Sequence, residues 1–210
     1  MLLSESKRFL FVHVQKTAGT SITELLAPHA LAPSASRCNR LASDLGLRRD
    51  WRRYYFRKHA PLARAERVLP AELFGALFKF AFVRNPWDRL VSWYTFILED
   101  REHHRHQRVR RLADFGAFLR VEAQKRRRSQ WWMLQDSTGR LGVDFVGRFE
   151  SLDRDIAQVC ARLGIGQRPL SRSMSSRHAP YQSFYTPALV EFVARHWAAE
   201  IEAFGYRFDD

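Results

Sequence analysis

Residues 9–21 read Phe9-Leu10-Phe11-Val12-His13-Val14-Gln15-Lys16-Thr17-Ala18-Gly19-Thr20-Ser21. The first six form an aromatic and β-branched run that is typical of a buried strand. Ile22, Leu25 and Leu26 follow at helical spacing. The stretch therefore predicts a strand, a loop and a helix, in which loop amides and the positive end of the helix dipole favour a bound phosphate.

The same strand-then-helix pattern recurs twice further along the chain. Residues 79–83 predict a strand, after which Asn85-Pro86 supplies a helix cap and a first-turn proline. Residues 143–149 predict a third strand before a helix over residues 152–163, which Gly164 ends. A last helix begins at Thr186-Pro187 and continues through Ile201. Three such units predict an α/β fold with a central parallel sheet flanked by helices on both faces, in a single domain over residues 1–210.

The composition narrows the classes of ligand and location. The net charge of +13 over 210 residues indicates an anionic ligand, whether nucleotide, sulfated sugar, nucleic acid or lipid surface. Residues 1–8 are polar and lack the pattern of a signal peptide, and the apolar runs are too short to span a membrane. We therefore expect a cytoplasmic protein without a membrane span.

The loop after the first strand carries several groups that suit an anion. Gly19 lets the backbone approach a ligand, Lys16 adds a full charge, and hydroxyl donors come from Thr17, Thr20 and Ser21. A nucleotide-triphosphate loop requires glycines at the positions that Leu10 and Gln15 hold here. This difference argues against a kinase or an ATPase.

With their flanks, residues 13–21 resemble the 5′-phosphosulfate loop of sulfotransferases that use 3′-phosphoadenosine-5′-phosphosulfate (PAPS). The resemblance is to the carbohydrate-acting, heparan- or chondroitin-type branch (sulfotransferase family 2-like). A second segment resembles the 3′-phosphate motif of the same family, Phe82-Val83-Arg84-Asn85-Pro86-Trp87-Asp88-Arg89-Leu90-Val91-Ser92-Trp93-Tyr94. Weaker similarity continues through Lys58-His59, residues 144–150 and residues 204–206. Ala18 stands where the family often has glycine, a variant that resembles the heparan-acting subgroups.

The resemblance implies the P-loop-like sulfotransferase fold and the transfer of a sulfuryl group from PAPS to a hydroxyl group, without a metal. It implies a carbohydrate as the acceptor and adenosine 3′,5′-bisphosphate as the other product. The implied donor-binding residues are Lys16, Thr17, Ala18, Gly19, Thr20, Ser21, Arg84 and Ser92. Arg177 is a further candidate, in a polar stretch with Ser173 and Ser176 that resembles the loop closing over the adenosine phosphate.

Two residues are candidates for the chemistry itself. Lys16 is placed to stabilise the departing phosphate oxygen, and Lys58-His59 resembles the segment that carries the catalytic histidine, so His59 is the expected base. His59 could instead be a histidine that only forms hydrogen bonds within the fold, and Glu66 and Glu72 stay open as alternative bases. Arg84 could instead be a surface arginine paired with Asp88, and Ser92, which needs an exposed hydroxyl for phosphate binding, could be a packing residue.

Other polar residues have less specific patterns. His13 lies on the first strand and is expected to be buried, whereas His103, His104 and His106 are expected to form a solvated cluster. The basic stretches 101–111 and 125–128 either guide an anionic glycan or form a solvated face. Residues 130–132, Gln-Trp-Trp, could line the acceptor site or belong to the core.

Two other classes of function are kept as alternatives. The charge, with tryptophans among arginines, also suits a nucleic-acid-binding protein, for which salt-dependent binding is diagnostic. A P-loop nucleotide kinase is the other alternative, and its reaction needs magnesium. The expected partners are PAPS, its product nucleotide and a hydroxyl-bearing glycan, with no nucleic acid.

Overall fold

A computed structural model describes residues 1–125, 129–166, 170 and 179–210. The strands are β1 (Leu2–Ser4), β2 (Phe9–Val12), β3 (Phe78–Val83) and β4 (Phe145–Arg148). The helices are α1 (Gly19–Leu26), α2 (Arg37–Asp44), α3 (Leu62–Val68), α4 (Ala71–Ala76), α5 (Pro86–Glu99), α6 (His106–Arg110), α7 (Phe115–Ala123), α8 (Gln130–Leu134), α9 (Leu152–Leu163), α10 (Pro187–His196) and α11 (Ala198–Phe204). Single 3-10 turns occupy Ala27–His29, Trp51–Arg53, Phe149–Ser151 and Tyr181–Phe184.

The strands form one sheet in the order β1-β2-β3-β4. β2 and β3 are parallel, with Phe9 opposite Phe78 and Phe11 opposite Phe80. The predicted α/β architecture, a central and mostly parallel sheet flanked by helices, is confirmed. The polar pattern of residues 1–8 does not predict β1. It pairs with β2 in the antiparallel sense through three residues, too few to show an alternating pattern.

The core of the sheet explains where the first loop lies. Five phenylalanines of β2 and β3 pack with Ile22 and Leu26 of α1 and with apolar residues of α9. The five are Phe9, Phe11, Phe78, Phe80 and Phe82. Burial of each such side chain stabilises the fold by about 2 kcal/mol. α1 is thereby held against the strand that precedes it, which fixes both ends of the intervening loop.

Contacts divide the chain into two compact units. The first comprises residues 1–82 and 133–171, and the second comprises residues 83–132 and 172–210. The single domain over residues 1–210 stays a prediction.

Several predicted helix ends are confirmed, and one predicted helix is divided. α9 spans Leu152–Leu163 and ends at Gly164, which has a φ of 58°. Asn85 caps α5 by accepting a hydrogen bond from the Trp87 amide at 3.0 Å. The last predicted helix is two helices, α10 and α11, because Trp197 leaves the helical region with a φ of −115°.

Within the described residues, the longest helices are too short and too polar to cross a lipid bilayer.

Candidate functional site

In the first unit, the loop between β2 and α1 has an unusual backbone. Lys16 has a φ of 67° and Ala18 a φ of 59°, so two non-glycine residues adopt left-handed angles. Left-handed residues within a turn aim successive backbone N–H groups into one concavity, a geometry that binds anions. Ala18 is the N-cap of α1, and its methyl side chain offers no acceptor to the first helical amides. The backbone of this loop thus has the geometry of an anion-binding turn, and Lys16 adds a positive charge to the segment.

The hydroxyl groups of this loop do not share one orientation. Thr17 is buried, and its Oγ1 donates to the Val14 carbonyl oxygen at 3.1 Å. The expected Thr17 hydroxyl donor is thus occupied inside the loop, which leaves its backbone amide as the group for a ligand. Thr20 and Ser21 lie half-exposed in the first turn of α1, and Lys58 Nζ donates to Thr20 Oγ1 at 3.3 Å. Sequence reasoning gave Lys58 no role, and its position beside His59 was the available signal.

Gly19 is required by the packing of His13. A Cβ atom at residue 19 would lie 2.1 Å from His13 Nε2, far inside van der Waals contact. The expectation that His13 is buried is confirmed, since it is 4% exposed. Burial, followed by the nearby His59, lowers the pKa of His13 to about 2. His13 therefore stays neutral at working pH and serves as a wall of the loop.

The structure places His59 against the start of the same loop. Its Nδ1 donates to the His13 carbonyl oxygen at 2.9 Å, and the two imidazole rings meet edge to face at 4.7 Å. A carbonyl oxygen can only accept a hydrogen bond, so the neutral His59 ring must carry its proton on Nδ1. Nε2 is then the nitrogen that can accept a proton. His59 is half-buried and thus carries a defined tautomer beside the Lys16 loop.

The alternative bases lie in other surroundings. Glu66 accepts from the Ser137 amide at 2.6 Å and from the Ser137 hydroxyl at 3.0 Å, so its carboxylate holds the turn at residues 136–140. Glu72 is exposed in the first turn of α4. His59, by contrast, contacts His13, the first residue of the loop between β2 and α1.

A cavity of about 420 Å³ also lies within the first unit. His13 and Lys58 border it, and its other walls include the aromatic residues Trp51, Tyr54, Tyr55 and Phe56. The volume falls within the range of small-molecule sites, which combine apolar walls with a few polar groups.

In the second unit, Arg84 directly follows β3 and is 7% exposed. Its Nε donates to Asp88 Oδ2 at 2.7 Å, one helical turn further on. The ion pair with Asp88 is present, but Arg84 is buried and is not a surface residue. Ser92 is 1% exposed, whereas phosphate binding was expected to use an exposed hydroxyl. Both residues therefore lie inside the unit.

Gln130 has a position that the sequence did not predict. It is fully buried. Its side-chain amide forms hydrogen bonds with both the backbone N–H and the backbone carbonyl of Arg84. Its neighbour Trp131 packs on Phe204, with ring centres 6.2 Å apart, which is a core contact. Of the two interpretations of residues 130–132, acceptor wall or core, the contacts of Gln130 and Trp131 favour the core.

The prediction of a solvated histidine cluster is wrong for His106. His106 is buried, and its Nδ1 donates to the Ile97 carbonyl oxygen at 3.0 Å. Arg105, within the basic stretch 101–111, is also buried and forms an ion pair with the buried Glu122. Hydrophobic packing of α5 and α6 draws these residues inward, which charge counting alone does not reveal. Arg177, Ser173, Ser176 and residues 126–128 lie outside the described residues.

Comparisons with known proteins give one family. The model of the sulfotransferase family matches residues 1–207. A crystal structure of a sulfotransferase from Alicyclobacillus acidocaldarius is similar to this chain with a TM-score of 0.45 and 19% identity, covering 96% of this chain and 97% of that one. Curated proteins gave no significant match. Among the described residues, no group of histidine, cysteine and carboxylate side chains is arranged to hold a metal ion.

Proposed function

Because the chain belongs to the sulfotransferase family, we propose that it transfers a sulfuryl group from PAPS to a hydroxyl group, with a carbohydrate as the acceptor. The family supports sulfuryl transfer in general. The donor and the acceptor class rest on the motif resemblance and on the chemistry of the residues described above.

In this proposal the loop between β2 and α1 binds the 5′-phosphosulfate. The amides of Thr17, Ala18 and Gly19, the hydroxyls of Thr20 and Ser21, and the Lys16 ammonium all suit an anion with several acceptor oxygens. Arg84 and Ser92 bind the 3′-phosphate, and Arg177 is a further ligand of the donor. The buried position of Ser92 means that neighbouring side chains must shift to admit a phosphate oxygen.

The proposed reaction is an in-line displacement at sulfur. The acceptor oxygen forms a bond to sulfur while the bond from sulfur to the bridging phosphate oxygen breaks. His59 Nε2 takes the proton of the acceptor hydroxyl, and Lys16 stabilises the negative charge that develops on the departing phosphate oxygen. The products are the sulfated acceptor and adenosine 3′,5′-bisphosphate.

One observation carries the assignment of the base. The hydrogen bond from His59 Nδ1 to the His13 carbonyl oxygen joins the histidine to the first residue of the donor loop. A base must lie within reach of the hydroxyl that attacks the donor, and this contact supports that geometry. Lys58, the neighbour of His59 in the chain, also lines the aromatic cavity, whose mixture of aromatic and polar side chains suits a sugar ring with C–H faces and a hydroxyl rim.

The test measures transfer of radiolabelled sulfuryl from PAPS to panels of sugar, lipid and small-alcohol acceptors. Lys16→Ala and His59→Gln are each expected to lower kcat by about 100-fold or more, because each removes one chemical role. Lys7→Ala and His196→Gln are matched controls. Each makes the same substitution as a test variant, at a residue that lies outside the loop. Full activity of His59→Gln would show that another group is the base. Sulfation of lipids alone would overturn the proposal of a carbohydrate acceptor.

The same assays separate this function from the two alternatives, which the comparisons do not support. A nucleotide kinase loses activity in a chelator because phosphoryl transfer needs magnesium. A nucleic-acid-binding protein retains strongly salt-dependent binding in Lys16→Ala. Sulfuryl transfer that continues in a chelator and depends on Lys16 is the expected result.

A further inference from the structure

The buried amide of Gln130 pairs with both backbone groups of Arg84. The Arg84 amide donates to Gln130 Oε1 at 2.9 Å, and Gln130 Nε2 donates to the Arg84 carbonyl oxygen at 2.8 Å. Arg84 follows Val83, the last residue of β3. A primary amide carries a donor and an acceptor side by side, as the edge of a neighbouring strand does. Gln130 therefore supplies to Arg84 the two hydrogen bonds that a strand partner would give.

Glu200 and Arg89 determine which way this amide faces. Glu200 Oε1 accepts from Gln130 Nε2 at 3.2 Å and from Arg89 Nη2 at 3.2 Å. Glu200 Oε2 accepts from the Gln130 backbone amide. An ionised carboxylate only accepts, so the NH2 group of Gln130 must lie on the Glu200 side and its oxygen must face the Arg84 amide. The three buried side chains thus form one network with a single hydrogen-bonding arrangement.

The side chain of Arg84 is held independently of its backbone. Its Nε donates to Asp88 Oδ2 at 2.7 Å, and its side chain is 9% exposed. Gln130 at the backbone and Asp88 at the guanidinium together restrict this residue before any ligand arrives. A ligand group that is fixed in advance loses little conformational entropy on binding and keeps its geometry to within a fraction of an ångström.

We propose that Gln130 is a positioning residue for the 3′-phosphate site, acting through the backbone of Arg84 and without contact to the donor. The inference rests on the proposed function, in which Arg84 binds the 3′-phosphate. The contact between Gln130 of α8 and Glu200 of α11 then helps the protein to select an adenosine nucleotide with two phosphate groups.

The test compares the binding of two nucleotides by calorimetry, adenosine 3′,5′-bisphosphate and AMP, which lacks the 3′-phosphate. Gln130→Met removes both hydrogen bonds to Arg84 at similar volume. Its Kd for the bisphosphate is expected to rise by about 10-fold or more, while its Kd for AMP stays within about 2-fold, because displacement of a ligand group by a fraction of an ångström weakens only that contact. Gln124→Met is the matched control, since Gln124 is an exposed glutamine of the same unit.

A second variant keeps the inference testable if Gln130→Met does not fold. Gln130→Glu has the same shape and can still accept from the Arg84 amide, but its ionised form cannot donate to the Arg84 carbonyl. An intermediate and selective loss of bisphosphate affinity is expected. Protonation restores the missing donor, so the ratio of variant to wild-type Kd should fall as the pH is lowered. The charged groups that face this carboxyl are Glu200 of α11, which raises its pKa, and Arg89 of α5, which opposes that shift.

The outcomes separate this inference from the function on which it rests. If the wild-type protein binds the bisphosphate no better than AMP, the 3′-phosphate role of Arg84 fails, and the role of Gln130 fails with it. If the wild-type protein discriminates and the Gln130 variants discriminate equally well, only the positioning role is overturned. A parallel loss of affinity for both nucleotides assigns Gln130 to the stability of the unit and also overturns the inference.

Discussion

Two residues of the loop between β2 and α1 have backbone angles that residues with a Cβ atom rarely adopt. Lys16 and Ala18 are left-handed although both carry a Cβ atom, which costs roughly 1 kcal/mol per residue. Such angles persist only where the surrounding structure enforces them, and they concentrate at ligand sites. The packing of α1 on β2 supplies that enforcement here. The shape of the loop is thus obtained at the expense of stability.

Replacement of Ala18 by glycine is therefore expected to stabilise the protein. Glycine adopts a φ of 59° without a steric penalty, so Ala18→Gly should raise the free energy of unfolding by about 0.5 kcal/mol after the greater entropy of the unfolded chain is subtracted. Urea denaturation measures the change. Ala157→Gly in the middle of α9 is the control and should lower the same quantity by about 1 kcal/mol. A loss of stability in Ala18→Gly would show that the backbone strain is absent.

The neighbouring strands β3 and β4 approach each other closely at Gly147. A Cβ atom at Gly147 of β4 would lie 2.4 Å from Cε1 of Phe82, a fully buried side chain of β3. Phe82 also packs edge to face on Phe145, with ring centres 6.5 Å apart. A glycine in β4 thus allows an aromatic core that a larger residue would disrupt.

Gly147→Ala is expected to lower the free energy of unfolding by about 1 to 3 kcal/mol, because the added methyl forces Phe82 out of its packing. Thermal and urea denaturation test this. Gly75→Ala, in α4, is the matched control: nothing lies within 4 Å of its Cβ position, and alanine favours the helix by up to about 1 kcal/mol. Equal effects of the two substitutions would contradict the close approach of β3 and β4.

For the molecule as a whole, acid is expected to be destabilising. The chain already carries a net charge of +13, and additional protons increase its self-repulsion. His13 adds a specific contribution, because burial lowers its pKa from 6.5 to about 2. Below pH 6.5 the unfolded chain binds a proton at His13 that the folded protein does not bind. The stabilisation is therefore complete above pH 6.5 and decreases as the pH falls.

Between pH 7 and pH 5 the free energy of unfolding is expected to fall by about 2 kcal/mol from His13 alone. Urea denaturation at pH 5, 6 and 7 measures the slope. His13→Gln should reduce this slope, because it removes the buried imidazole. A wild-type slope that survives in His13→Gln would assign the acid sensitivity to other groups.

Local patterns predicted much of this protein. The strand at Phe9–Val12, the Asn85 cap and the Gly164 helix end all follow from residues within a few positions of one another. Hydrophobic period, capping chemistry and turn residues act over such distances, so they are legible in a single sequence. The three-residue strand β1 and the break at Trp197 were missed because each depends on what the segment packs against.

The linear order of residues thus predicted the α/β architecture, the strand-loop-helix unit at residues 9–26 and the sulfotransferase family. It did not reveal that His59 donates to the His13 carbonyl, or that Gln130 pairs with the backbone of Arg84. Each of these contacts joins residues 46 positions apart. Burial of Ser92, His106 and Arg105 was likewise beyond local reasoning. Such contacts arise when apolar faces close over the chain and every enclosed polar group must find a partner, a condition that acts on the folded molecule and leaves no periodic trace in the sequence.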